Sequence, residues 1–524
     1  MYTIGDLSRM NALRCPQKIA IRLADDALTY LDLDSVSNRL AHRLAGEGIA
    51  GGDRVALLAF NCPEFALVTQ AVAKLGAILV PINVRLAAQE MRDLISHCMP
   101  RLLFVEAPFL DDARVACTGL AAPPALVTLR ATGPTGLPDL RGLTQGAPDI
   151  FEGPPVDPGS CAAIMYTSGT TGRAKGVMIS HEKYLRIFTA FGIEMEVREP
   201  DVIQLAVPLF HNGGFASVLG PALMVGASVV CHRGPFDPRT VLEDIAHYRV
   251  TLTHWVPTML SILLPVLEEG GRDLSSLRVV HYGAMPISAE LLARVRRALP
   301  HVSFFQGYGT TDAGLIACLR PEHMGAHPHA TGRPVFNTLS RIVGDTGRDV
   351  AEGEVGEVIV HAGTSGMMGY WADEPATGAA IRDGWIHTGD IARRDTDGFF
   401  TLVERMNFLI ISGGENIFPR EVEEVLSTHP GIAEVAVFGV KDETFGEAVC
   451  AALVPAVPVP PTLEELRAWC DGRIARYKLP RHMLMLPALP RTALGKIAKG
   501  ALMDLFRRQQ NGTDPENAAP RAEP

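Results

Sequence analysis

Apolar positions along this chain repeat with two periods. Within residues 31–46, Leu33, Val36, Leu40 and Leu44 fall at helical spacing, which predicts a helix with one buried stripe. Val55-Ala56-Leu57-Leu58-Ala59 is a short continuous apolar run, as expected of a strand covered on both faces. A second helix is predicted over 65–75, closed by Gly76, and a second buried strand over 77–82. Such alternation implies an α/β architecture with largely parallel sheets. Residues 131–160 are rich in Gly and Pro and read as a surface connection. A second α/β stretch runs to about residue 340, and a Gly-rich, strand-like region follows it.

After Arg405 the pattern restarts on a smaller scale. Phe418-Pro419-Arg420-Glu421 opens a helix with Val422, Val425 and Leu426 on one face, and Pro430-Gly431 is expected to end it. A strand over 435–440 follows, and Leu463, Leu466 and Trp469 mark another helix. This reads as a separate domain of about a hundred residues. With 524 residues the chain is in any case too long for one ordinary core. From Gln509 to Pro524 apolar periodicity is lost, and a disordered tail is expected.

Composition narrows the class. Apolar residues at 47% and charged residues at 20% are the balance of a soluble globular protein. The net charge of −10, without a sustained run of Lys or Arg, argues against nucleic acid as a partner. Met1 to Asp6 lacks the basic stretch and apolar core of a signal peptide. The longest uncharged apolar stretch, 215–230, is too short and too rich in Gly for a membrane span. A cytoplasmic location without a membrane span is therefore expected. No two of the nine cysteines fall within four residues of each other, so zinc pairs and redox motifs are not expected.

The strongest local signal is Tyr166-Thr167-Ser168-Gly169-Thr170-Thr171-Gly172-Arg173-Ala174-Lys175-Gly176, set between two apolar strands. Its glycines permit positive φ and let backbone N–H groups turn inward, while hydroxyls and a Lys add donors, the means by which a loop grips a polyphosphate. The spacing is not that of a Walker loop. Gly307-Tyr308-Gly309 is not a dinucleotide fingerprint either, because Asp312 stands where the third Gly belongs.

The loop resembles the signature of the adenylate-forming superfamily, which includes acyl-CoA synthetases, peptide-synthetase adenylation domains and luciferases. Further motifs occur in that family's order. Tyr308-Gly309-Thr310-Thr311-Asp312 resembles its Tyr-Gly-x-Thr-Glu element, and Trp385-Ile386-His387-Thr388-Gly389-Asp390 its Thr-Gly-Asp element. Arg405, Ser412-Gly413-Gly414-Glu415-Asn416-Ile417 and Pro490-Arg491-Thr492-Ala493-Leu494-Gly495-Lys496 follow. The resemblance, which covers about residues 10–505, is closest in flavour to aryl- and fatty-acid CoA ligases. It implies a large N-terminal domain over 1–404, with mixed or parallel sheets and a β-rich subdomain. A hinge at 405–408, a small mobile α+β C-terminal domain over 409–508 and the tail over 509–524 would complete the chain.

The resemblance also implies roles. ATP, Mg²⁺ and coenzyme A are expected, with a small-molecule carboxylic acid as the other substrate; a homodimer is left open. Thr167, Ser168, Gly169, Thr170, Thr171, Gly172 and Lys175 would hold the β- and γ-phosphates. Tyr308 would stack on adenine opposite Gly283-Ala284, with Gly309 and Thr310 beside it and Thr311 reaching the α-phosphate. Asp312 sits at the magnesium-linked acidic position, where Glu is usual, and being one methylene shorter leaves room for a bridging water. Asp390 and Arg405 would bind the ribose. Lys496 would bridge the acid's carboxylate and the α-phosphate, and His211 would shut the acid pocket. Ser412, Gly413, Gly414 and Glu415 lie on the CoA side, and Asn407 at the hinge. By residue type alone, Asp312 and Asp390 are equally turn residues, His211 a packed ring and Lys496 a solvated charge.

Met406-Asn407-Phe408 departs from the family's usual acidic or basic residues after Arg405. The leading reading is a carboxylic acid–CoA ligase acting through an acyl adenylate. An acyl-AMP ligase that loads a carrier protein is second, and a catalytically weak nucleotide-binding protein is a third; luciferase-like oxidation has no support. Val202 to Cys231 holds no Asp, Glu, Lys or Arg, so an apolar monocarboxylic acid, aromatic or medium-chain, is expected. Trp255, Tyr282 and Phe305 are expected near its pocket.

Overall fold

The computed structural model describes residues 3–167, 174–285, 287–405, 408–412, 415–442, 445–471, 473–491 and 497–510, with Arg405, Glu415 and Asn416 described by backbone alone. Two compact units are present. The first comprises Met1–Arg341, Ile359–Thr388 and Asp395–Thr401, and the second Ile342–Val358, Gly389–Arg394 and Leu402–Pro524.

In the first unit the helix predicted over 31–46 is Tyr30–Gly46, started by a capping box between Thr29 and Asp32. Its buried stripe is Leu33, Ser37, Leu40, Ala41 and Leu44, with Val36 only half-buried. Helix Pro63–Lys74 is buried along nearly its whole length and touches strands of two different sheets, which is why its apolar residues are not confined to one stripe. One sheet has nine strands, in the order Arg333–Pro334, Gly314–Leu319, Ser303–Thr310, Val279–Gly283, Leu252–Trp255, Val202–Leu205, Ser228–Cys231, Ile19–Leu23 and Asp26–Thr29. Its central strands run parallel, and the edge pairs at both ends are antiparallel. The other has seven, in the order Gly369–Tyr370, Lys175–Ser180, Cys161–Thr167, Ile78–Pro81, Arg54–Leu58, Leu102–Glu106 and Ala125–Leu129. Helix His181–Glu194 also touches a strand of each.

The β-rich subdomain is a five-stranded sheet ordered Ser340–Val343, Val355–His361, Trp385–Arg394 and Ile381–Arg382, with Phe400–Arg405 paired to Trp385–Arg394.

The second unit contains another five-stranded sheet, ordered Glu415–Ile417, Ile410–Ser412, Gly446–Pro455 and Ile432–Asp442, with His482–Met485 parallel to Gly446–Pro455. Both faces of this sheet are covered. Val437, Val449, Ala451 and Leu453 pack with Val422, Leu426 and Leu466 of the helices Pro419–Leu426 and Leu463–Cys470. Their neighbours Ala436, Phe438, Val440, Ala448 and Cys450 pack with Leu502 and Phe506 of helix Lys499–Gln510. The expected stop at Pro430-Gly431 is corrected: the helix ends at Leu426, where the Ser427 and Thr428 hydroxyls donate back to the carbonyls of Glu424 and Val425 and offer the backbone an alternative to a further turn. Of the stretch read as tail, Gln509 and Gln510 belong to the last helix; the remainder lies outside the described residues. Among the described residues no helix is long and apolar enough to cross a membrane.

Candidate active site

The phosphate-loop signature sits at one end of an antiparallel hairpin whose strands, Cys161–Thr167 and Lys175–Ser180, bring Thr167 opposite Lys175. Ala162 to Met165 anchor it, each at most 2% exposed. Ser168, Gly169, Thr170, Thr171 and Gly172 lie outside the described residues.

The second motif also forms a hairpin, Ser303–Thr310 with Gly314–Leu319, whose register shifts between Tyr308 and Gly309. Its glycines are there for space. A Cβ on Gly309 would stand 2.2 Å from the carbonyl oxygen of Gly314, and one on Gly307 2.3 Å from Nε2 of His281. Tyr308 between them is nearly buried, and Gly307 is the register partner of Gly283. Gly283-Ala284 and Tyr308-Gly309 are thereby side by side, with Ala284 in the left-handed region at φ 67°. The Thr310 hydroxyl accepts from the Ala313 N–H (3.1 Å), and Thr311 is half-buried beside it.

A segment the sequence did not single out joins the two hairpins. The N–H of Met367 donates to the carbonyl of Asp312 (2.7 Å), that of Met368 to Met178 (2.8 Å) and that of Trp371 to Gly176 (2.7 Å). Strand Gly369–Tyr370 pairs with Lys175–Ser180, and from it the Tyr370 hydroxyl donates to Asp312 Oδ2 (3.1 Å). Lys175 Nζ stands 4.8 Å from the centre of the same ring, within cation–π reach. Burial, reinforced by the Asp312 carboxylate, raises the Tyr370 hydroxyl above its ordinary pKa, so the proton stays on the phenol and the bond to Asp312 is charge-assisted. Lys175 and Asp312 thus share one tyrosine.

His211 caps the short helix Asn212–Gly214, its Nδ1 accepting from the Gly213 N–H (3.1 Å). The expectation for Trp255 and Tyr282 is corrected. Both enter the core formed with Leu260, Leu263, Leu264 and Val295 from helices Pro257–Glu269 and Ala289–Ala298. Strand alternation gives the opposite face to His254 and His281, which meet Ser217 and Phe191 there.

In the second unit, Asp390 is 4% exposed within strand Trp385–Arg394, beside Gly389, whose N–H donates to Glu357 Oε1 (3.0 Å). The backbone of Arg405 ends strand Phe400–Arg405. Ser412 is buried and is the register partner of Glu415. Phe408, at the position where an acidic residue is usual, has Lys499 Nζ 5.2 Å from its ring centre, and that ammonium pairs with Glu423 (3.0 Å). Asn407, Gly413, Gly414 and Lys496 lie outside the described residues.

Residues 9–371 match the family model of the AMP-binding enzyme, and residues 421–496 match that of the AMP-binding enzyme C-terminal domain. The chain belongs to the AMP-binding enzymes. It is 38% identical over 500 residues to an indoleacetate–CoA ligase of Aromatoleum aromaticum, covering 94% of this chain and 96% of that protein. It is 36% identical over 505 residues to a feruloyl-CoA synthase of an Amycolatopsis species, covering 96% and 99%. Among solved structures, the o-succinylbenzoate CoA synthetase of Bacillus subtilis with its acyl-adenylate intermediate superposes with a TM-score of 0.82 at 30% identity, covering 99% of each chain. This AMP-binding enzyme thus has the mixed α/β plan of adenylate-forming enzymes, with the phosphate-loop hairpin, the Tyr308 hairpin and the Tyr370 strand inside its first unit.

Proposed function

We propose that this AMP-binding enzyme is an ATP-dependent carboxylic acid–CoA ligase for an apolar monocarboxylic acid with an aromatic ring or a medium-length chain. The observation that carries the reading is its end-to-end similarity, through both matched domains, to enzymes named for that reaction. In this reading a carboxylate attacks the α-phosphorus and expels pyrophosphate, and the CoA thiol then displaces AMP from the mixed anhydride. Positioning and charge stabilisation dominate such chemistry. Thr167 and Lys175, with the loop between them, hold the β- and γ-phosphates; Tyr308 and Gly283-Ala284 flank the adenine; Thr311 donates to the α-phosphate. Asp390 and Arg405 take the ribose hydroxyls. The domain over 409–508 turns about Asn407, offering Lys496 to the first half-reaction and Ser412, Gly413, Gly414 and Glu415 to the second.

Asp312 would hold a magnesium ion through its carboxylate, the hard oxygen donor that this ion takes. Magnesium bound with ATP supplies positive charge against the departing pyrophosphate. With ATP, Mg²⁺, CoA and an apolar acid the expected products are acyl-CoA, AMP and pyrophosphate, read by chromatography of the nucleotides. Formation of ADP would overturn the reading, because attack would then fall at the wrong phosphorus.

Tyr370 enters this reading as the residue that aims Asp312. Tyr370→Phe removes a hydrogen bond to a charged group, worth about 1.5–3 kcal/mol. We expect kcat/KM to fall roughly ten-fold or more, and the Mg²⁺ concentration for half-maximal rate to rise. A lower melting temperature with an unchanged Mg²⁺ dependence would assign Tyr370 to packing alone.

A further inference from the structure

We infer that the acid pocket carries a bare hydrogen-bond acceptor, Nε2 of His254, which selects aromatic acids bearing a ring hydroxyl or ring N–H. This rests on the ligase reading above and narrows its substrate class. His254 and His281 are register partners on adjacent parallel strands, 5% and 2% exposed, with ring centres 4.5 Å apart and nearly perpendicular planes. They face away from the Trp255 core. Opposite them lies Ser217, in the turn Phe215–Leu219 that follows His211 and Asn212–Gly214. After burial, His211 is the further influence that lowers the pKa of His254. Its neighbour His281 packs against Gly307, one residue before Tyr308. The pair therefore lies between the proposed pocket gate and the proposed adenine platform.

Hydrogen-bond bookkeeping fixes the protons. The Ser217 hydroxyl donates to the carbonyl of Gly213, which can only accept. Ser217 Oγ has no second proton, so its 2.5 Å contact with His254 Nδ1 requires that nitrogen to be the donor. His281 Nδ1, 3.3 Å from the same nitrogen, faces the same proton as an acceptor. Burial holds both rings neutral, lowering the pKa of His254 to about 3 and that of His281 well below its ordinary value. His254 Nε2 is then left with a lone pair, and His281 Nε2 with a proton. Neither atom has a partner among the described residues. A buried acceptor without a donor is costly, and sites built this way reject ligands that leave it unfilled. A fatty acyl chain offers nothing to it. A phenol O–H or an indole N–H, on a flat ring that also suits the uncharged stretch 202–231, offers what is missing.

The test compares matched acids that differ in one donor: 4-hydroxyphenylacetate against 4-methylphenylacetate, and indole-3-acetate against naphthalene-1-acetate, with octanoate as a third class. For the wild-type enzyme, kcat/KM for acyl-CoA formation should favour the donor-bearing member by about 10²-fold. His254→Phe, which keeps a flat ring but removes the acceptor, should narrow that ratio to within a few-fold, and His254→Gln should restore part of it. Ser217→Ala removes one hydroxyl and frees the tautomer, so it should narrow the ratio about ten-fold even where the His254 variants fold poorly. Equal rates for both members of each pair in the wild type, as a trapped water on Nε2 would give, overturn the inference. A parallel loss for both members in the variants does the same. Failure of every acid to yield acyl-CoA and AMP would instead sink the ligase reading itself.

Discussion

Replacing Lys496 by Ala is expected to slow adenylation by at least ~10²–10³-fold, the usual cost of removing one donor that meets charge developing in a transition state. As the carboxylate approaches the α-phosphate, negative charge crowds at a point that the phosphate-loop lysine, Lys175, is not proposed to reach. The expectation draws on the motif Pro490 to Lys496, with which the matched C-terminal domain ends. In the proposed alternation Lys496 has left the site when CoA enters. Thioester formation from supplied acyl-AMP should therefore survive the substitution. Exchange of labelled pyrophosphate into ATP measures the first half-reaction, and release of AMP from acyl-AMP and CoA measures the second. Equal losses in both would refute the division of labour between the two faces of the small domain.

The elements legible in the sequence were those whose burial follows a simple period. Helix Tyr30–Gly46 has one apolar stripe, and strand Ile432–Asp442 has apolar residues for both of its covered faces, so each could be read without knowledge of its neighbours. Helix Lys499–Gln510 buries only Leu502 and Phe506 among charged residues, too little for a period to emerge. Trp255 was misplaced because an aromatic side chain at the end of a strand suits either face. One residue of register decides between a pocket and a core, and only the helices packed against the sheet supply that register. His254, its neighbour, had no sequence signal beyond standing in an apolar strand. Tyr370 was illegible for a different reason. Its strand has two residues, and its partner Asp312 is 58 positions away; Gly369-Tyr370-Trp371, in a Gly-rich stretch after the Tyr308 motif, was the available hint. The motifs suggested the chemistry, whereas the contacts that hold those residues in place arise from pairing between distant segments.

Gly309→Ala is expected to lower kcat/KM by about 10²-fold, and the reason lies in that pairing. The added Cβ would stand 2.2 Å from the carbonyl oxygen of Gly314 and 3.0 Å from both its carbon and Leu315 Cα. These are backbone atoms of the antiparallel partner strand, so no side chain can rotate out of the way. The hairpin must open by close to 1 Å, at a point where its register already shifts. Tyr308 lies on one side of that point and Thr310-Thr311-Asp312 on the other, so the proposed adenine platform and the residues proposed to face the phosphates cannot both keep their positions. A displacement of about 1 Å in groups that align a reaction costs on the order of 10²-fold. Overpacking of this kind also costs about 1–3 kcal/mol of stability, so a fall of a few degrees in melting temperature should accompany the kinetic loss. Gly325→Ala is the matched control, since a Cβ there meets nothing within 4 Å, and it should leave both quantities near those of the wild type. The decisive comparison is kcat/KM for acyl-AMP formation at a temperature where both variants are fully folded. If Gly309→Ala remains within a few-fold of the control, the hairpin yields without moving its functional residues, and the close approach at Gly309 serves the sheet alone.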